Sequence, residues 1–434
     1  MTSIVWSFRT HLVRAALAGS LLQTACVTDD VVFKWGEVAI DSAFRADDHL
    51  HFLYHTRSMA MVHLAMHDAV NGVIPKYDTY ALTTRDKKAH PEAAVATAAH
   101  DVLVALYPVC YWFPPPFCTA TDQKPILDAE LASSLASIPD GDAKDRGIAL
   151  GHAAAAAILA ARADDGYTAP AVEPYTDGTE PGEWRVYAPF FLAQAPGWAD
   201  LAPFAYDTTS FRTPPPPVTS AEYTAAYNEL KSYGRATGSS RTADQTDLAW
   251  WWWEWSDVSW HHIARVVWEA RGNGDLWKAA RLMALVHTAQ MDAVTTDHNA
   301  KYHFHFWRPI TAIPLGDDDG NPDTAGEVGW QPLCPTPPSP DYASAHAALG
   351  GSAAAVLTRF FGKDKVSFSL ASNTSIPPGQ VRSFTRFSQA AAENADSRVA
   401  CGIHWRFSTN RGNQLGYTVG NFMFDHLLLP ADGD

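Results

Sequence analysis

Six side chains in the C-terminal half of the chain have the chemistry to hold a small anion: Lys301, Arg308, Ser344, His346, Arg398 and His404. They fall in three segments, Lys301-Tyr302-His303-Phe304-His305-Phe306-Trp307-Arg308-Pro309, Pro338-Ser339-Pro340-Asp341-Tyr342-Ala343-Ser344-Ala345-His346, and Ser397-Arg398-Val399-Ala400-Cys401-Gly402-Ile403-His404. A tetrahedral oxyanion spreads negative charge over its oxygens. Guanidinium groups meet such oxygens in a planar fork, and an ammonium adds a point charge. Lys301, Arg308 and Arg398 together offset up to three negative charges. A hydroxyl and backbone amides near a helix start complete such a cradle, and Ser344 with the Ala345 amide stands where a helix is expected to begin. Of the two histidines, one can bond the central atom and the other can move protons near neutral pH.

The elements that must position these groups read as helices. Ala94 to Leu106 and Ile148 to Ala163 are alanine-rich with little punctuation. Met59, Val62, Met66 and Val70 recur at helical spacing, as do Leu282, Leu285, Ala289 and Ala293. Clean strand alternation is scarce, so the expected fold is all-α with long proline-rich loops. Pro214-Pro215-Pro216-Pro217 marks a boundary, and the stretch Pro332 to Pro340 cannot be helix. A helix is expected from about Ala345, because Ala347 to Leu357 is apolar and alanine-rich. There is also an internal repeat: residues 62–70 match residues 286–294 at six of nine positions, with His63 aligned to His287 and Asp68 to Asp292. It suggests two related helical bundles, of which only the second is followed by the cation cluster. The expected division is 1–26 as an export signal, 27–213 as a scaffolding bundle and 218–434 as the bundle with the site.

Bulk properties narrow the classes. The chain has 434 residues, 47% hydrophobic and 18% charged, a core-forming composition. Its formal net charge of −15 repels phosphate backbones and anionic lipid, which speaks against nucleic-acid and membrane-surface partners. Arg9 and Arg14, the apolar run Ala15 to Leu22 and small residues before Cys26 read as an export signal, with Cys26 an alternative lipid-attachment point. No later stretch has the length of a transmembrane helix. The remaining Cys110, Cys118, Cys334 and Cys401 suit an oxidising compartment. Cys110 and Cys118 bracket a proline loop that a disulfide would close, whereas the sequence alone leaves open whether Cys334 and Cys401 are free or paired; Cys401, three residues before His404, reads as a packed rather than a redox thiol.

The three segments resemble the signature of the vanadium-dependent haloperoxidases and their relatives, the type 2 phosphatidic acid phosphatases. Lys301 and Arg308-Pro309 match the first box, Ser344-Ala345-His346 the second, and Ser397, Arg398 and His404 the third. The stretches Arg57 to Asn71, Arg162 to Gly166 and Ala293 to Ile313 look like the soluble haloperoxidase branch. The resemblance implies two four-helix bundles with the pocket in the second. It implies vanadate as cofactor, with hydrogen peroxide, halide and a small organic acceptor as reactants. By position, Lys301, Arg308 and Arg398 would pair with vanadate oxygens, with Lys301 also polarising peroxide. Ser344 and the Ala345 amide would donate, His404 would ligate vanadium, and His346 would be the acid–base histidine.

Three departures from the pattern matter. Ser408 stands four residues after His404, where the family often places an orienting aspartate. Ala345 replaces glycine and would crowd the anion if its backbone needed a positive φ. Ser339 occupies the position linked with halide preference and leaves the halide open. Two other functions use the same residues: an acid phosphatase in which His404 attacks phosphorus and His346 protonates the leaving group, and a non-catalytic phosphate- or vanadate-binding protein.

Other polar residues have plainer expectations. His63 and His67 lie four apart, the spacing of a zinc pair, but without a glutamate after His63 they read as core or interface histidines. The run Trp250 to Trp253, Trp255 and Trp260, with His261-His262, reads as core or pocket wall. His303 and His305 would line an entrance.

Overall fold

The computed structural model describes residues 30–46, 52–107, 122–187 and 191–431. The export signal, Cys26, Cys110 and Cys118 lie outside them. Among the described residues the chain is helical, with α1 Val31–Arg45, α2 Phe52–Val73, α3 Pro91–Leu106, α4 Lys124–Ala136 and α5 Asp142–Ala161 in the first half. The second half has α6 Ala221–Tyr233, α7 Ala243–Trp251, α8 Ser256–Arg271, α9 Leu276–Phe304, α10 Pro309–Ala312, α11 Ala345–Phe360, α12 Phe387–Ala400 and α13 Arg406–His426. Two small antiparallel pairs interrupt this pattern: β1 Val172–Glu173 with β2 Ala193–Gln194, and β3 Phe368–Ser372 with β4 Gln380–Phe384. Among the described residues, no helix is long and apolar enough to cross a membrane.

Local sequence explains the helix ends. Pro91 opens α3, where its missing N–H costs nothing. Asp142 and Asp145 sit in the first turn of α5, where negative charge meets the positive end of the helix dipole. Asp275 caps α9 by accepting the amides of Trp277 and Lys278, and α9 ends at His305 in the left-handed conformation.

Helices α9, α11, α12 and α13 form the C-terminal bundle. In the N-terminal one, α2, α3 and α5 pack together, with α1 against α2 and α3, and α4 against α3. Helix α2 also lies along α9, and the apolar core is continuous through both bundles. Both helices are buried on nearly every side, so their polar residues need internal partners. Asp68 accepts the amides of Tyr80, Ala81 and Leu82 at 2.7–2.9 Å. Asp292, its counterpart in the repeat, accepts those of Phe204, Ala205 and Tyr206 at 2.7–2.8 Å.

One packing device matters for the site. Gly412, Gly416 and Gly420 form a stripe on α13, and a Cβ at each would come within 2.4 Å of the carbonyl oxygen of Ser344, Ala348 or Ser352. Without side chains there, α13 seats directly on the α11 backbone, which brings the turn before α13 to the start of α11.

Candidate active site

The last turn of α9 carries Lys301, 2% exposed. Its ammonium donates to the carbonyls of Pro340 (3.0 Å) and Asp341 (2.8 Å) and to that of Ala343, pinning the loop before α11. Arg308, the N-cap of α10, donates from Nε to the Ser339 carbonyl (2.8 Å) and from Nη1 to the Ile403 carbonyl (2.8 Å). Its Nη1 also faces His404 Nε2 at 2.9 Å, and its Nη2 donates to Ser339 Oγ at 3.2 Å. Arg398, in the last turn of α12, donates to the Trp252 carbonyl (2.8 Å) and to Ser397 Oγ (3.0 Å), and lies over the Trp253 ring. Burial pushes the Lys301 ammonium down to about 8 and Arg398 down to about 9.

Three chain segments therefore converge on His404. Burial first, then the charges of Arg308, Lys301 and Arg398 and the neighbouring His346, hold this imidazole well below its ordinary range. An arginine N–H can only donate, so the contact with Arg308 assigns an unprotonated Nε2. The proton then sits on Nδ1, which makes a close, bent contact of 2.9 Å with Asp341 Oδ1. His404 thus keeps an Nε2 lone pair aimed among the cations.

Asp341, in the second segment, belongs to the site although its residue type and spacing gave no sign of it. It is fully buried, and burial raises its carboxyl to about 7 despite the opposing pull of Arg308 and Lys301. Ser408, at the place where an orienting aspartate was looked for, is 3.5 Å from His404 Nδ1 and donates instead to the Asp341 carbonyl at 3.1 Å. The carboxylate behind His404 comes from the proline loop rather than from α13. Asp297 is the other buried carboxyl here. It stands one turn before Lys301, 3.7 Å from the ammonium, and burial raises it to about 7. The cluster thus sets three cations against two carboxyls that titrate near neutrality, a balance that favours an anion.

Ser344 is the N-cap of α11, fully buried, yet its hydroxyl neither caps the helix nor has any other hydrogen-bond partner. Cap serines normally bond an amide two or three residues on, and a buried hydroxyl without a partner costs about 1–3 kcal/mol. The hydroxyl is free for a ligand. Ala345 has helical backbone and no positive φ, so its methyl imposes no strain. His346 is partly exposed, with Nε2 at 2.9 Å from the Trp252 carbonyl. Burial and then the Arg398 charge hold it well below its usual range. The Nε2 proton belongs with that carbonyl, which leaves Nδ1 as the acceptor.

Ser339 is buried, with its hydroxyl and carbonyl both engaged by Arg308. Trp251, Trp252 and Trp260 are core, and Trp253 is a wall over Arg398. His303 is exposed, and His305 Nδ1 lies 2.6 Å from the Tyr175 hydroxyl. Cys401 is not the packed thiol expected: it is disulfide-bonded to Cys334, with Cα atoms 4.9 Å apart. The Trp252 carbonyl, shared by Arg398 and His346, had no side-chain signal by which it could be found. The residues present suit a tetrahedral oxyanion such as vanadate. They offer three buried cations, a partnerless hydroxyl and an imidazole lone pair.

Known proteins resemble this chain in sequence and fold. Residues 281–433 match the family model described as the VCPO second helical-bundle domain. The vanadium chloroperoxidase of Curvularia inaequalis is 26% identical over 454 aligned positions, covering 81% of this chain and 74% of that protein. A bacterial vanadium-dependent iodoperoxidase has the same fold with a TM-score of 0.75 and 25% identity, over 93% of this chain and 98% of the other. A bacterial vanadium-dependent chloroperoxidase in its holo form gives a TM-score of 0.65 at 16% identity, over 87% and 92% of the two chains, a likeness of fold.

Proposed function

The chain is a relative of the vanadium-dependent haloperoxidases, and we propose that it oxidises halide with hydrogen peroxide at a vanadate held by its C-terminal bundle. The observation that carries this reading is the convergence of Lys301, Arg308 and Arg398 around the Nε2 lone pair of His404, beside the partnerless hydroxyl of Ser344. In it, Lys301, Arg308 and Arg398 neutralise the oxyanion, and the Ser344 hydroxyl and Ala345 amide donate to it. His404 Nε2 is the metal ligand, and Asp341 fixes its tautomer from behind. When bound, vanadate supplies a pentavalent Lewis acid that activates hydrogen peroxide toward halide, and hypohalous acid passes to a small organic acceptor. His346 accepts a proton on Nδ1 while the Trp252 carbonyl holds its Nε2 proton. Its depressed basicity lets it return that proton readily. Ser339 braces Arg308, and through it shapes the halide's approach. The N-terminal bundle, 27–213, serves as scaffold, and 218–434 carries the chemistry. The Cys334–Cys401 disulfide supports export to an oxidising compartment.

A second reading has one observation in its favour. Asp341 behind His404 is also what a phosphohistidine route needs, with Nε2 as nucleophile and His346 protonating the leaving group. The test separates the two. Protein loaded with orthovanadate is given peroxide and iodide, bromide or chloride, and halogenation of a phenol dye is followed. Turnover with at least one halide, and its loss together with bound vanadium in His404→Ala, is the expected result. Hydrolysis of p-nitrophenyl phosphate without halide oxidation would make the chain a phosphatase. Vanadium uptake with neither activity would make it a binding protein.

A further inference from the structure

We propose that His63, His261 and His287 form a buried structural site for a divalent transition-metal ion of the zinc class, joining α2, α8 and α9. The three imidazoles are fully buried, and one ring nitrogen of each lies within 4.8 Å of the others. The His63 and His287 rings, which occupy matching places in the internal repeat, stack 4.5 Å apart at 9°. His261 Nδ1 lies 3.0 Å from His287 Nε2.

The hydrogen-bond inventory argues for a missing partner. Each neutral imidazole brings one N–H and one lone pair. The His261–His287 contact uses one of each. Both nitrogens of His63, Nε2 of His261 and Nδ1 of His287 then have no partner at hydrogen-bond geometry, with the Gln290 amide of the next turn of α9 close to His287. Buried polar groups are ordinarily satisfied, and four such nitrogens in one cluster are not explained by packing. A cation would take a lone pair from each ring, replacing the His261–His287 contact, and would leave one N–H on each ring for nearby acceptors such as Gln290 Oε1 and Glu37. Burial supplies the ligand form by keeping these rings neutral, with His63 pushed down to about 3. Zinc–nitrogen bonds of about 2.0–2.1 Å at tetrahedral angles set the ligand nitrogens roughly 3.4 Å apart, between the 3.0 Å of His261 Nδ1 to His287 Nε2 and the 4.8 Å limit of the cluster. From the present span, that asks for side-chain adjustment only.

Helix α1 covers the cluster in a way that fits. A Cβ on Gly36 would fall 2.2 Å from His261 Cε1 and 3.2 Å from His63 Cε1, so glycine there makes the room the rings occupy. The next residue, Glu37, brings Oε1 to 3.8 Å from His261 Nε2 while also pairing with His262 and Arg265. It supplies the carboxylate at the rim, as fourth ligand or as charge balance. The site is separate from the anion pocket. His287 precedes Lys301 by fourteen residues of α9, roughly 21 Å along the helix.

Because the ligands are enclosed, the ion must enter as the chain folds, so the test uses untagged protein from cells grown with zinc or with cobalt(II). Cobalt, zinc and vanadium are measured separately on each purified sample. The expected result is about one cobalt or zinc ion per chain, with the visible bands of nitrogen-coordinated cobalt. It should be retained in His404→Ala and fall at least tenfold in His287→Gln. Should His287→Gln fail to fold, the parent itself decides: unfolded with chelator and refolded, it should melt several degrees higher with zinc than without. Parent protein that carries little metal after both growths, or metal that persists in folded His287→Gln, overturns the proposal. Loss of vanadate chemistry in the same samples would not touch it.

Discussion

Helices α2 and α9 share a nine-residue stretch and the job that goes with it. In each, a buried aspartate at the same repeat position gathers three consecutive backbone amides from a loop. The loops differ: residues 80–82 follow α2 directly, whereas residues 204–206 arrive from the far side of the N-terminal half. The helices differ in length as well. On the repeat alignment α2 stops at Val73, opposite Asp297, and α9 continues to Phe304, two turns further. Those two turns carry Lys301, with Asp297 at the point where they begin. The shared part holds loops in place, and the extension holds charge, so scaffold and chemistry are divided along a single helix.

The sharpest way to break that division is to alter the extension. Lys301→Met should lower halide oxidation by about 10²–10³-fold, the usual cost of deleting one donor to a developing charge, measured at saturating vanadate. A small effect would mean that the extension is not the seat of the chemistry. Asp68→Ala and Asp292→Ala should do the reverse. Each strands three amides, of which those of Leu82 and Phe204 are buried, at a cost of about 1–3 kcal/mol, read from urea midpoints. Asp68→Ala should leave turnover per folded molecule within about twofold. Unequal stability losses would show that the repeat is not a repeat in energy.

Asp341 lies outside both copies and refines the picture. Asp341→Asn should weaken vanadate binding about 10- to 100-fold, the range for a carboxylate behind a metal-ligating histidine. Ser408→Ala should cost much less if Asp341 is the true orienter. The smallest effect concerns pH. A bound anion stabilises the Lys301 proton, so the lysine should favour binding below about 8, its pKa in this pocket, and cease to do so above it. The decline is at most about tenfold per pH unit. In Lys301→Arg the charge persists, so the difference between the two pH profiles isolates the lysine.

The sequence made much of this legible, for physical reasons. Alanine-rich runs with proline or aspartate at their starts can hardly be other than helix, and α3, α5 and α11 begin within a few residues of where such signals stand. The cations and histidines stood out because guanidinium, ammonium and imidazole are rare in apolar surroundings. What could not be read was pairing. Asp341 meets His404 across sixty-three residues, and only the serine at position 408 hinted that a carboxylate had to come from elsewhere. Cys334 and Cys401 lie sixty-seven residues apart, and nothing in their flanks says that their Cα atoms approach. The Trp252 carbonyl is backbone, which every residue has. The glycine stripe on α13 was visible as spacing, but its use depends on α11 lying against it. The histidine cluster draws on three helices, so the sequence shows only the spacing of His63 with His67, which reads as core; the His67 ring lies by Asp68 and Asn71.

The Cys334–Cys401 bond ties together the two stretches that frame the pocket. One end anchors the proline segment that presents Ser339, Asp341 and Ser344; the other anchors the turn that presents Ile403 and His404. Cut that tether and the helices remain, but acceptor and imidazole must find each other through loop motion alone. Redox history then becomes an input to cofactor affinity. Molecules matured among free thiols and molecules matured in an oxidising milieu would share one sequence and one set of helices, and would differ in how firmly they grip the same anion.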